Sequence, residues 1–226
     1  MNPNAIAFSL ERLNTPIQFS NSVNLMIMLA AISLIPFFLI SVTSFIRVAI
    51  VLSMVRTAMG VQQAPPNNVI ISLALFLTVF IMSPVWQRIN QDAVGPYNAG
   101  RLTQQQMVDK ALVPLREFML RQTRENDIAL FVNYSRIPNL KNYQDLPTWI
   151  LIPSFMLSEL RTAFEISFLI FLPFLVVDLI IANLLLSLGM FMLSPVIVSL
   201  PFKIMLFVLV DGWNLIARGL IGSYYR

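Results

Sequence analysis

Four charged side chains inside long apolar stretches are the residues most able to do chemistry: Glu159, Asp178, Lys203 and Asp211. A charge at the centre of a bilayer costs about 2.5–3.5 kcal/mol on insertion scales, and carboxylates inside membranes often mark ion or proton paths. None of the four has an oppositely charged residue three or four positions away on its own helix. Lys203 and Asp211 are separated by about 12 Å of helix, which is too far for a direct bond.

These four charges allow three interpretations. In the first, the segments are less buried than their composition indicates, and the charges reach water. In the second, the charges pair across helices or between subunits, with Glu159 and Lys203 as the best candidates. In the third, Asp178 or Asp211 conducts ions or protons. The spacing of the residues does not choose among these interpretations.

The residue types that are absent exclude several classes of function. Because the chain has no cysteine and no histidine, it cannot form disulfides, thiolate metal sites, cysteine nucleophiles or histidine general bases. It has no GxxxxGK[ST] loop to hold a nucleotide phosphate. Its net charge of +4 is too small and too dispersed to indicate nucleic-acid binding. We therefore expect a protein that is not an enzyme and has no cofactor and no bound metal.

The composition is that of an all-α membrane protein. Hydrophobic residues make up 57% of the chain and charged residues 12%, whereas a soluble domain averages about 25% charged residues. The apolar runs are long enough to be spanning helices. Residues 1–21 form a polar N-terminal segment that lacks the basic start and apolar core of a signal peptide.

A kinked helical hairpin is predicted for residues 22–87. The first apolar segment begins at Val23, and its helical pattern runs to about Met54, with a kink at Pro36. The sequence GVQQAPPNN then breaks the helix, and Val69–Trp86 returns without a single charge. A basic residue beside the turn favours the cytoplasmic side for it, by the positive-inside rule.

Residues 88–150 are predicted to form a small helical domain on the periplasmic side. Thr103 and Gln106 have the spacing of a capping box at the start of a helix. Pro114 is expected to separate two amphipathic helices, because proline interrupts the helical hydrogen bonds. The apolar positions of these helices recur at helical spacing: Leu115, Phe118, Met119, Ile128, Phe131 and Val132.

A second helical hairpin is predicted for residues 151–226. Its turn is GMFMLSP, since glycine and Ser-Pro both interrupt a helix, and its last helix is expected to run from about Val196 to Leu220. The turn carries Met190, Phe191 and Met192. These side chains either pack in an ordinary way or, because methionine is flexible and polarizable, form a ring that closes a pore yet deforms around cargo.

Several stretches closely resemble the FliP family of bacterial flagellar biosynthesis, the SctR-type subunit of type III secretion export gates. PFKIMLFVLVDGW matches the C-terminal signature of that family, and PSFMLSELRTAFEISF is similar to a second signature, with the small residues Ser154 and Ser167 in place of alanine and glycine. APPNNVIISLALFLTVFIMSP and PLREFMLRQTRENDIALF are also family-like, and LREFMLRQTRE favours the flagellar branch. The resemblance covers nearly the whole chain from about residue 22.

The resemblance implies a subunit that assembles into a helical hetero-oligomeric pore. About five copies of such a subunit join FliQ-type and FliR-type subunits in the export gate, together with FlhB-type and FlhA-type export components. The gate conducts unfolded flagellar proteins across the bacterial inner membrane at the flagellar basal body. Much of the complex stands at periplasmic level, so its helical hairpins are not conventional lipid-bathed spans, and membrane lipid is among its expected partners.

The resemblance also implies roles for particular residues. Met190, Phe191 and Met192 correspond to a methionine-rich loop that forms the gasket of the closed pore. A protein-enclosed setting favours an intersubunit ion pair between Glu159 and Lys203.

Two other classes of protein compete with the export gate. The alternative is a small-solute or ion transporter that uses Asp178 and Asp211, which should show internal repeats, and no convincing repeat is evident. An intramembrane enzyme would need a histidine for a Ser-His dyad or a GxGD motif, and the chain has neither.

Overall fold

The computed structural model describes residues 16–61, 63–135 and 146–225. Within these ranges the chain consists of helices and turns, with no strand, as the sequence predicts. Most of the polar segment expected at residues 1–21 lies outside the described residues. The chain divides into two compact units, Met1–Leu39 and Ile40–Arg226, which we describe separately.

The described part of the first unit is helical. It belongs to helix α1, which spans Pro16–Val42 and contains Pro36. The large apolar side chains of this part are largely exposed, and Met26 reaches 70%. The stretch Val23–Val42 has a mean hydropathy of 2.6 and is long and apolar enough to cross a membrane.

The second unit begins with a break in the helix that the sequence did not predict. The expected continuous helix to Met54 is wrong, because α1 ends at Val42 and a separate helix, α2, spans Phe45–Ala58. The Thr43 hydroxyl accepts a bond from the Phe45 amide at 3.4 Å. A short hydroxyl side chain that bonds the nearby backbone competes with the helical ladder, which accounts for the break.

The next helices form a bent pair. Helix α3 spans Asn67–Ile81 and α4 spans Ser83–Ile89, and α4 continues through a π-helical turn at Asn90–Val94 into the short α5, Gly95–Asn98. The bend between α3 and the helical run after it is 54°.

The polar middle contains helices α6, Gln104–Gln122, and α7, Glu125–Tyr134. The predicted capping box of Thr103 and Gln106 is confirmed, with both reciprocal bonds present. The predicted separation at Pro114 is wrong, because Pro114 lies inside α6. The helices separate instead at Thr123 and Arg124, where the backbone is extended.

The C-terminal part consists of one very long helix and a bent pair. Helix α8 spans Thr148–Ser187, 40 residues, which is about 60 Å at the usual helical rise. Helices α9, Pro195–Leu209, and α10, Gly212–Gly222, are bent by 63°. The expected single last helix from Val196 to Leu220 is therefore wrong.

The core of the second unit is arranged around α2. Its buried valines and leucine pack with residues of α3, α8 and the C-terminal end, and its last residues pack with Phe174 and Phe207. The apolar positions of α6 and α7 cover the start of α8, where Phe155 is fully buried. The polar middle therefore packs on the long helix within the second unit.

Two helical stretches of the described chain pass the length and hydropathy test for a membrane span, Val23–Val42 and α8. Each bent pair, α3 with its continuation and α9 with α10, also passes if it is counted as one span.

Candidate functional site

The methionine-bearing turn between α8 and α9 begins with a helix cap of the kind that glycine favours. Gly189 has a φ of +72°, in the left-handed region. Its amide bonds the Leu186 carbonyl at 3.1 Å, and the Met190 amide bonds the Leu185 carbonyl at 2.9 Å. This pair of bonds is the Schellman motif, which satisfies the last carbonyls of a helix. The turn thus leaves α8 in a defined direction.

The three residues of the expected gasket are exposed at this turn. Met190 is 46% exposed, Phe191 76% and Met192 99%. Pro195 then occupies the first turn of α9, where its fixed φ suits a helix start. The end of α8 and the start of α9 therefore fix the turn on both sides, and the turn exposes its three apolar side chains at the surface of the chain.

A second feature is a buried charge cluster around Glu159. Its carboxylate forms an ion pair with Arg47 of α2, and the two side chains are 0% and 3% exposed. The Tyr224 hydroxyl donates to the other Glu159 oxygen. The Arg47 guanidinium lies 4.0 Å from the centre of the Tyr224 ring and donates to the Ser223 hydroxyl at 3.0 Å. This Arg47–Glu159–Tyr224 cluster joins α2, α8 and the C-terminal residues.

The structure does not bring Glu159 and Lys203 together. Glu159 has Arg47 as its partner, and the Lys203 ammonium donates to Asp178 at 2.6 Å. Because Glu159 is fully buried and Lys203 is 3% exposed, neither side chain is presented to a neighbouring copy. A Glu159–Lys203 pair is therefore wrong within this chain, and the burial gives no support to one between subunits.

The third feature is the Asp178–Lys203 pair between α8 and α9. The Ser199 hydroxyl also donates to Asp178, so the carboxylate bridges two residues one helical turn apart on α9. The Lys203 side chain is 4% exposed, whereas Asp178 is 33% exposed. The ammonium is thus enclosed by protein, and the carboxylate still has an open side.

Asp211 and Gly212 make the bend between α9 and α10. Asp211 has φ 50° and ψ 53°, a left-handed conformation that aspartate tolerates better than most residues. A Cβ on Gly212 would lie 2.3 Å from the Phe207 ring, so only glycine fits there. Trp213 packs edge-on against the same ring at 5.2 Å. The DGW sequence is therefore explained as the turn that folds α10 back on Phe207.

A more exposed set of charges lies on the outside of α8. Arg124 donates through both guanidinium ends to the two oxygens of Glu165, at 2.9 and 2.5 Å. Arg161 reaches Glu165 at 3.3 Å along the same helix. The hydrogen bond to Glu165 is the main reason why the pKa of Arg124 is raised. This bridge ties the α6–α7 junction to α8.

Sequence reasoning missed Arg47 and Tyr224 because both are far along the chain from Glu159. The only signal for Arg47 was a single basic residue inside an apolar pattern. The Asp178–Lys203 pair had a clearer signal. The two residues lie at nearly equal distances on either side of Phe191, so a chain reversal at the predicted turn places them opposite each other.

The fold and these features define an all-helical protein with candidate membrane-spanning helices, in which the buried or half-buried charges of Glu159, Asp178 and Lys203 are paired within the described residues. The family model described as the FliP family matches residues 28–220. The chain is 47% identical over 209 residues to the flagellar biosynthetic protein FliP of Bacillus subtilis (strain 168), covering 92% of this chain and 95% of that protein.

Two further relatives give the same result. Identity to the flagellar biosynthetic protein FliP of Pectobacterium carotovorum subsp. carotovorum is 46% over 204 residues, with coverage of 90% and 79%. Identity to that of Aquifex aeolicus (strain VF5) is 46% over 206 residues, with coverage of 90% and 86%. The chain belongs to the FliP family.

Proposed function

We propose that this chain is a core, pore-forming subunit of the flagellar type III protein export gate, which conducts unfolded flagellar proteins across the bacterial inner membrane. The observation that carries this proposal is membership of the FliP family together with an exposed, rigidly based apolar turn at Met190–Met192. The subunit provides a passage and performs no catalysis.

The proposed assembly contains about five copies of the chain with FliQ-type and FliR-type subunits, and it works with FlhB-type and FlhA-type components. Within each copy, residues 22–87 and 151–226 form hairpins on either side of a periplasmic region at 88–150. The complex is proposed to reside in the inner membrane and the basal body, with much of it at periplasmic level.

The apolar outer surface supports an assembly of this kind. Phe164, Phe168 and Leu169 of α8 are 50%, 65% and 64% exposed. Apolar surfaces of this extent need lipid or another protein to cover them. Because the charges of Glu159 and Lys203 are neutralised inside the chain, they do not interrupt these surfaces.

The turn at Met190–Met192 is the proposed gasket. Flexible methionines flank a ring that is 76% exposed, and such side chains can seal against one another and still adapt to varied cargo. Several copies arranged around one axis would bring their turns together and close the pore at its narrowest point.

Leakage through the assembled gate tests the gasket. Cells with the complete gate and the variant Met190→Ala/Phe191→Ala/Met192→Ala should leak small ions several times faster than the wild type, because alanine removes the sealing side chains. Export of a flagellar substrate reporter should persist at least in part. An unchanged rate of ion leakage would refute the gasket assignment.

Phe76→Ala supplies the matched control. Phe76 lies on α3 and is 76% exposed, the same fraction as Phe191. The Phe76→Ala substitution removes the same type of side chain from an equally exposed position outside the turn, so it should not raise the rate of ion leakage. The single variant Phe191→Ala should leak faster than the wild type, and equal leakage from Phe76→Ala and Phe191→Ala would show that the turn has no special role.

The geometry favours the export gate over a solute transporter that uses Asp178 and Asp211. Asp178 is held by Lys203 and Ser199, and Asp211 occupies the bend before α10. Both carboxylates thus have structural roles that need no transported ion.

A further inference from the structure

An open cavity of about 160 Å³ lies where α3 and α4 meet α6 and the C-terminal residues. Its lining includes the apolar residues Ile81, Val85 and Phe118. Arg88, Arg121 and Gln122 supply polar groups to the same lining. The cavity therefore combines apolar and basic side chains, and none of the residues of the methionine turn lines it.

The charged side chains of the lining have a net positive charge. Arg88 donates to Glu117 at 2.6 Å, so the Glu117 carboxylate neutralises the charge of one of the two arginines. Arg121 forms no hydrogen bond or ion pair within residues 16–61, 63–135 and 146–225, and it lies in the last turn of α6. Glu117 also lines the cavity. Two guanidinium groups and one carboxylate leave a single positive charge for a ligand to neutralise.

The position of the cavity indicates where that ligand comes from. Helix α3, which leads into it, exposes large apolar side chains, among them Phe76, Val79 and Phe80. Trp86 and Tyr225 lie at the end of this apolar surface, 37% and 57% exposed. Tyr225 donates to the Ile81 carbonyl at 3.4 Å, which fixes its ring over the end of α3. Tryptophan, tyrosine and arginine next to an apolar helix are typical of a membrane–water interface.

We propose that this cavity binds the phosphate of an anionic phospholipid headgroup. Arg121 and the outer edge of Arg88 bind the phosphate oxygens, because guanidinium groups pair well with phosphate. The acyl chains lie along the exposed apolar side of α3. The site depends on the local geometry and not on the export role, so it goes beyond the proposed function.

The cavity also touches the buried cluster through one side chain. The Gln122 side-chain oxygen accepts a bond from Arg47 at 3.3 Å, and its amide donates to the Tyr224 carbonyl at 3.4 Å. A lipid phosphate in the cavity therefore lies next to a residue that holds the C-terminal end in place. Occupancy of the site should raise the thermal stability of the chain.

Lipid binding to the purified complex tests the proposal. The complex in detergent is mixed with short-chain phosphatidylglycerol, phosphatidylcholine or inorganic phosphate, and bound ligand per chain is measured by native mass spectrometry. Wild type should bind phosphatidylglycerol in preference to the other two. Arg88→Gln/Arg121→Gln should weaken that binding by roughly 30-fold, the effect expected when two arginines near an anionic lipid are lost.

Arg101→Gln/Lys110→Gln is the matched control, because it removes two positive charges from exposed residues that do not line the cavity. It should bind phosphatidylglycerol as tightly as wild type. Equal weakening in both double variants would indicate a general charge effect and overturn the proposal. Equal binding of inorganic phosphate would assign the cavity to free phosphate, and equal binding of phosphatidylcholine would exclude selection by charge.

Discussion

Two ion pairs of the second unit that involve enclosed side chains, Arg47–Glu159 and Lys203–Asp178, differ in how much water they can reach. In the Arg47–Glu159 pair the side chains are 3% and 0% exposed. In the Lys203–Asp178 pair the ammonium is 4% exposed but the carboxylate is 33% exposed. The first pair is closed on both sides, whereas the second is closed only around the lysine.

The loss of stability on removing one member of an ion pair therefore depends on whether the remaining charge can reach water. A buried charge without a partner costs several kcal/mol, whereas a charge that can turn to water costs much less. The stability of the chain should fall on the loss of either residue of the closed pair, Arg47–Glu159. For the open pair, Lys203–Asp178, it should fall mainly on the loss of the carboxylate.

One bend connects the two pairs. Lys203 lies on α9, and Tyr224, which holds Glu159, follows α10. The turn at Asp211 and Gly212 sets the direction of α10 relative to α9. The left-handed geometry of this turn therefore sets how the Lys203–Asp178 pair and the Tyr224 bond to Glu159 form together.

Loss of Glu159 should have the largest effect. Glu159→Gln leaves the Arg47 guanidinium buried without a carboxylate, and we expect about 3–5 kcal/mol of lost stability. The readout is thermal unfolding of the purified complex and the amount of chain in the membrane. Glu165→Gln is the control, because Glu165 is 51% exposed, and it should change the unfolding temperature little. Similar losses for both variants would contradict the role assigned to the buried cluster.

The open pair should respond unequally to its two single substitutions. Asp178→Asn leaves the enclosed Lys203 ammonium without a counter-ion, whereas Lys203→Met removes the enclosed charge and leaves Asp178 free to turn to water. We expect Asp178→Asn to cost about 2 kcal/mol more than Lys203→Met, measured by chemical unfolding of the complex. An equal or larger cost for Lys203→Met would mean that the pair is enclosed on both sides.

The connecting bend should be sensitive to a single methyl group. Gly212→Ala places a Cβ against the Phe207 ring, and such overpacking typically costs about 1–3 kcal/mol. Phe207→Leu in the same chain should restore part of the loss in thermal stability. Gly219→Ala is the control, since no atom lies within 4 Å of its Cβ position. If Gly219→Ala is as harmful as Gly212→Ala, the contact with Phe207 is not the cause.

The smallest effect concerns Arg88 and Glu117, an ion pair exposed on both sides. The hydrogen bond from Arg88 is the main reason why the pKa of Glu117 is lowered. The ionised Glu117 carboxylate therefore stabilises the fold fully above its unfolded-state pKa of about 4.3. This stabilisation is lost as the pH falls through the lower pKa that Glu117 has in the folded chain.

Glu117→Gln should therefore remove a small part of the pH dependence of the unfolding temperature in this acid range, and leave the unfolding temperature near pH 7 almost unchanged. Because the side chains are 47% and 42% exposed, a large loss at pH 7 would contradict the link between exposure and cost.

Much of the helical framework could be predicted from hydropathy and helix signals. Composition predicted an all-α membrane protein, and Thr103 with Gln106 predicted the start of α6. Gly189 and Ser-Pro predicted the turn before α9. These features depend on neighbours within a few residues, so local patterns are enough.

The helix breaks and the charge partners could not be predicted in the same way. At the break between α1 and α2 the Thr43 hydroxyl bonds the Phe45 amide, and a single threonine has no strong sequence signature. Pro114 is accommodated within α6, which local rules do not foresee. Arg47 and Glu159 are 112 positions apart in the chain, so only the packing of α2 on α8 brings them together.

The most direct test of the account is to remove the whole buried cluster rather than one charge. In Arg47→Met/Glu159→Leu/Tyr224→Phe no charge is left unpaired, and apolar replacements of a buried ionic group are often well tolerated. We expect this triple variant to recover most of the thermal stability that Glu159→Gln loses, and flagellar export to continue. A stable, fully assembled complex that no longer exports would contradict it, because the charges would then act in transport and not only join the helices.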